Sequence, residues 1–88
     1  MSLEKALDMV HNRIDDYLQQ LFILLRQKSI STQNIGITEC AKLLKNMMEE
    51  AGISSRLIET KGHPVVYGEY IKHEQEYTML IYGHYDVQ

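Results

Sequence analysis

The single cysteine, Cys40, rules out an internal disulfide framework, and it has no CxxC partner for metal or redox work. A lone thiol suits a reducing cytoplasm and packs as a small apolar side chain. Charge of one sign is scarce too: 9 Lys and Arg stand against 12 Asp and Glu, for a net charge of −3. That balance gives no electrostatic footprint for nucleic acid and no polybasic patch for a membrane surface. No apolar run approaches the roughly 20 residues needed to span a bilayer. The N-terminus is amphipathic and studded with charge, without the tripartite layout of a signal peptide. At 88 residues, 44% apolar and 24% charged, the chain reads as one small soluble domain or a piece of a larger one. The expected location is the cytoplasm.

Apolar residues from Leu3 to about Lys28 recur at spacings of three and four: Leu3, Leu7, Val10, Ile14, Leu18, Leu21 and Leu25. This predicts one amphipathic helix, with Ser2 at its N-cap. At Leu21–Leu25 the stripe widens until the helix is apolar all round, a band that needs cover on more than one side. A polar loop follows from Ser29 to Gly36. A second helix is predicted from about Thr38, as N-cap, to Ala51. Gly52 then stands where a left-handed C-terminal cap is wanted. Met47, Met48 and Cys40 read as core filler, since no second sulfur or imidazole lies at ligand spacing.

After Gly52 the pattern becomes strand-like, with candidates at Ile53–Glu59, Val65–Ile71 and Tyr77–Tyr82. Pro64 closes a turn between the first two, and a charged turn, Lys72–Glu76, precedes the third. Such short connections favour antiparallel neighbours for at least one pair. The third candidate is a near-continuous apolar run, the composition of a strand buried on both faces. The predicted fold is α/β, two N-terminal helices followed by three strands, and it reads as the front of a sandwich more than a finished unit.

The third strand leads into Gly83-His84-Tyr85-Asp86-Val87-Gln88. Ligands collect beyond the carboxyl ends of strands in open α/β sheets. Residues two apart in an extended chain point the same way, so His84 and Asp86 can face one pocket. A metal-binding imidazole needs a carboxylate or carbonyl on its other nitrogen to fix the tautomer, and His-x-Asp can supply both groups. The competing reading is a polar turn stabilised by Asp86.

The segment Leu80-Ile81-Tyr82-Gly83-His84-Tyr85-Asp86-Val87-Gln88 resembles the first metal motif of the M20 metallopeptidases. Tyr85 followed by Val87-Gln88 is most similar to the dipeptidase and carnosinase-like branch. The resemblance extends to Lys61–Tyr70 and to the Ser29-Ile30-Ser31-Thr32 loop, with Lys28 standing where that family usually carries proline. It implies that residues 1–88 are the N-terminal portion of a zinc-peptidase-like α/β sandwich catalytic domain. It also implies an intact enzyme in which two divalent metal ions, most often zinc, activate water to cleave the amide bond of a short peptide substrate. His84 would be a ligand of one metal, and Asp86, the one catalytic residue implied here, would orient its ring. The family's other ligands and its general-base glutamate have no matching position in these residues, so the 88 residues alone are expected to be inactive.

The remaining histidines read as ordinary: His11 and His73 solvated, His63 extended before Pro64. Two further readings stay open. The exposed apolar band and unpaired sheet edges would drive association into a homo-oligomer. Alternatively, His84, Asp86 and one more histidine would form a small metal-binding module.

Overall fold

The computed structural model of the chain describes residues 2–72 and 76–88. Helix α1 spans Leu3–Asn12 and begins as predicted, the Lys5 amide donating to Ser2 Oγ at 3.2 Å. The single long helix of the prediction is broken. Arg13, at φ −115° and ψ 17°, separates α1 from α2, Ile14–Arg26. The Arg13 amide still bonds Met9 O and its carbonyl still accepts from Tyr17, so the break is a kink between consecutive helices. Neither glycine nor proline stands there, and the apolar period runs through it, so nothing in the pattern marked the break.

After α2 comes a single turn of 3₁₀ helix, Ser31–Gln33, closed by Asn34 in the left-handed region. Helix α3 is Ile37–Glu50, and its cap is Gly36, not Thr38. The shift has a steric cause. Gly36 has φ 73°, and a Cβ there would lie 2.1 Å from the Lys28 carbonyl oxygen, so only glycine lets the loop cross α3's first turn. At the far end Gly52 donates to Glu49 O and Ile53 to Met48 O, the double bond of a Schellman cap.

Strands β1, Ser54–Ile58, and β2, Val65–Glu69, form an antiparallel hairpin with Ser54 opposite Glu69 and Ile58 opposite Val65. Helix α3 packs on it. Side chains alternate along both strands: Ser55, Leu57 and Val66 are half-buried, whereas Arg56 and Tyr67 are exposed, the guanidinium 5.3 Å from the ring centre. Gly68 brings helix and sheet together, because a Cβ there would sit 2.3 Å from Met48 Cε and 2.8 Å from Ile53 Cγ2.

The third predicted strand is not formed among the described residues. Tyr77–Tyr82 carries no strand pairing, and Leu80 is 90% exposed. A run apolar on both faces needs neighbours on both faces, and none of the described elements covers it. Among the described residues the architecture is three α-helices and a two-stranded sheet, and residues 73–75 of the expected charged turn, His73 included, lie outside them. The radius of gyration is 15.2 Å, against about 12 Å for a compact chain of this length. The accessible surface, 7859 Å², exceeds the roughly 5,400 Å² of a compact monomer of this mass. No helix is long and apolar enough to cross a membrane among the described residues. Among the described residues the buried apolar side chains are Ile37, Cys40 and Ala41, all in the first turns of α3, and Ser29 is buried too.

Candidate functional site

That small core is where the end of the chain docks. The Val87 amide donates to Ser29 O at 2.7 Å and the Ser31 amide donates to Val87 O at 2.9 Å, a short parallel pairing of the tail with the 29–31 loop. Thr32 Oγ1 donates to Gln88 O at 2.9 Å. Cys40 Sγ lies 3.8 Å from Tyr85 O, and the Tyr85 hydroxyl donates to the carbonyl of Pro64 in the β1–β2 turn. Burial raises the Tyr85 phenol pKa, with smaller contributions from Cys40 and Asp86. Loop, helix and hairpin turn therefore all hold the segment that carries His84 and Asp86.

The two side chains meet. His84 Nδ1 is 3.1 Å from Asp86 Oδ1, and His84 Nε2 is 3.3 Å from the Tyr82 hydroxyl. An ionised carboxylate can only accept, so in the neutral ring the proton sits on Nδ1. The Nε2 lone pair then points outward, and Tyr82 donates to it. The Tyr82 and His84 rings stand edge to face, 5.5 Å apart. The imidazole is 70% exposed and the carboxylate 31%. The Asp86 carboxyl is held below its ordinary value of 3.8, first by a hydrogen bond from Ser31 and next by the His84 ring, against a smaller opposing effect of desolvation.

His63, read from sequence as turn chemistry, reaches this region: its Nε2 is 3.1 Å from the Ser31 carbonyl oxygen. A carbonyl only accepts, so Nε2 carries the proton and is not offered to a metal in this geometry. His11 is exposed on α1. The contributions of Ser31, Tyr82 and Tyr85 did not emerge from the residue pattern. Ser31, in a polar loop, and Tyr85 carry no local sign of meeting Val87 and Pro64, which lie far off in the chain.

One imidazole with an oriented ring and an outward nitrogen fits a single corner of a metal site. A catalytic zinc needs about three protein ligands and an open position. Among the described residues no group of three or more His, Cys, Asp or Glu side chains is placed to complete one. Comparison with protein-family models, with curated proteins and with solved structures found no match to this chain.

Proposed function

We propose that this chain supplies the first metal ligand, His84, and its orienting carboxylate, Asp86, to the catalytic domain of an M20-type metallodipeptidase. The observation that carries the reading is the 3.1 Å contact between His84 Nδ1 and Asp86 Oδ1, which leaves Nε2 as the outward donor. When bound, the metal pair would supply a water activated for attack on an amide carbonyl. Asp86 keeps the proton on Nδ1 and makes Nε2 more basic, while the 29–31 loop fixes the backbone from which both side chains project. In the intact domain Tyr77–Tyr82 would become the third strand of the sandwich, covered on both faces. The substrate would be a short peptide and the setting a reducing cytoplasm.

The test is metal content and dipeptide hydrolysis of the protein made from its whole reading frame, with His84→Ala and Asp86→Asn beside it. His84→Ala should lose metal and activity, and Asp86→Asn should weaken both by about 10–100-fold. Full metal occupancy and turnover in His84→Ala would sink the reading. Turnover by residues 1–88 alone would also contradict it.

A second reading, self-association, draws support from the exposed apolar surface. The total accessible surface exceeds that of a compact monomer by about 2,500 Å², whereas a standard interface takes roughly 800 Å² from each partner. Leu80, Ile81 and Tyr82, each more than four-fifths exposed, would contribute to such a contact. Sedimentation of residues 1–88 tests it, and a monomer at high micromolar concentration would count against it.

A further inference from the structure

The tail that carries His84 and Asp86 has its backbone paired on one side only. Downstream, Val87 pairs with Ser29 and Ser31. Upstream, Tyr77–Tyr82 carries no strand pairing, and Gly83, with nothing within 4 Å of where a Cβ would stand, is a permissive joint. His84 therefore sits where a paired segment gives way to an unpaired one. The residue between His84 and Asp86 projects to the opposite side of the extended chain. That residue, Tyr85, is half-buried, whereas the His84 ring is 70% exposed. Its hydroxyl donates to the Pro64 carbonyl. The acceptor is itself braced. Pro64 has a fixed φ and stands one residue before Val65, the ladder partner of Ile58. In the turn before it, Thr60 Oγ1 donates to His63 O at 2.7 Å and accepts from the Gly62 amide at 3.0 Å. His63 Nε2, 3.1 Å from Ser31 O, ties the same turn to the loop.

We infer that Tyr85 is a positioning residue for His84 and Asp86, its hydroxyl pinning to the Pro64 carbonyl the face of the tail from which the two side chains project. A chain end held through one paired residue can still swivel about its own axis. A side chain pinned at its far end resists that swivel better than a backbone bond near the axis, because it acts at a greater radius. The 3.1 Å contact of His84 Nδ1 with Asp86 Oδ1 also needs an extended backbone through Tyr85, since only then do residues 84 and 86 share a face. With the hydroxyl bond in place, the extended stretch reaches back to Tyr85. Without it, the paired stretch begins at Val87 and both members of the pair lie outside it. The relevance to catalysis rests on the reading of His84 as a metal ligand, but the positioning itself can be tested without metal.

The test is a long-range ¹H–¹⁵N spectrum of the imidazole rings of the metal-free 88-residue chain, at a pH where the rings are neutral. Wild type should show His84 Nδ1 protonated and Nε2 as a bare ring nitrogen. Tyr85→Phe keeps the ring and removes the hydroxyl, and it should bring the two His84 nitrogen shifts toward each other as the tautomers mix. Gly68→Ala, which strains the contact of α3 with the sheet, should leave the His84 shifts in place. Exchange protection of the Val87 amide reports the tail pairing and should persist in Tyr85→Phe. Unmoved shifts in Tyr85→Phe, or equal movement in Gly68→Ala, would overturn the inference. Loss of Val87 protection in Tyr85→Phe would also overturn it, by making Tyr85 a general prop of the fold. Unmoved shifts in Tyr85→Phe beside intact metal binding by the protein from its whole reading frame would leave the peptidase reading standing alone. The expected spectra beside absence of metal binding by that protein would retire the peptidase reading and leave the role of Tyr85 standing.

Discussion

The Val87 amide donates to the Ser29 carbonyl over 2.7 Å, and this bond joins the two ends of the chain's functional region. It sits beside the buried turn of α3, where Ile37, Cys40 and Ala41 exclude water. The best-packed part of the molecule adjoins the backbone of the candidate site, while the His84 imidazole itself is 70% exposed. The apolar run Tyr77–Tyr82 just before it is the most exposed.

Ser29 itself offers a stability test. Its Oγ is buried without a hydrogen-bond partner among the described residues, and a buried unpaired hydroxyl costs about 1–3 kcal/mol. Ser29→Ala should therefore leave the urea midpoint unchanged or raise it. A clear fall would show that the hydroxyl has a partner.

Gly36→Ala should be severely destabilising. The left-handed backbone alone costs a residue with a Cβ about 1–2 kcal/mol, and the added carbon would also meet the Lys28 carbonyl. The total is expected at roughly 3 kcal/mol or more. Denaturant unfolding checks this, with Gly62→Ala, where the nearest atom is 3.9 Å away, as the control.

Gly68→Ala should cost about 1–3 kcal/mol through overpacking against Met48 and Ile53. Met48 is the flexible neighbour, so the cost should shrink when Met48→Ala is already present. A double-mutant cycle by chemical denaturation reads the coupling. Strict additivity would mean that the helix and the sheet do not meet at this point.

Alkali should weaken the fold through Tyr85. Its phenol is raised above the ordinary 10.0 by burial, so the folded state favours the protonated form. That contribution is full below pH 10 and is lost as pH climbs through the higher folded value. Tyr85→Phe should flatten this alkaline arm. Stability curves of the two proteins between pH 8 and 12 provide the comparison.

If His84 binds metal, Tyr82 competes with it. The phenol hydroxyl donates to Nε2 at 3.3 Å, the nitrogen that a metal would take. Tyr82→Phe should tighten zinc binding by the intact protein by about 2–10-fold, the worth of one solvent-exposed hydrogen bond. Isothermal titration gives the ratio, and weaker binding in Tyr82→Phe would mean that the hydroxyl helps to hold the metal.

Local patterning was enough for the elements whose stability is local. Spacings of three and four announced the helices, Ser2 capped the first, and Gly52 closed the last with its own backbone. The hairpin followed from two short β-rich runs around Pro64. His84 and Asp86 were legible as a pair because two residues along an extended chain is a distance fixed by covalent geometry.

What the chain could not state locally was what each surface would meet. The kink at Arg13 has no residue signature. The start of α3 moved to Gly36 because Lys28 crosses it, a contact made by a different segment. The apolar run Tyr77–Tyr82 has the composition of a strand, yet a strand is a pairing, and pairing needs a neighbour. Ser31 met Val87, and His63 met Ser31, only through contacts between segments distant in the chain. Periodicity encodes which side chains want burial. Only the closure of distant segments decides which of them receive it, because contacts between such segments leave no trace in the spacing of either one.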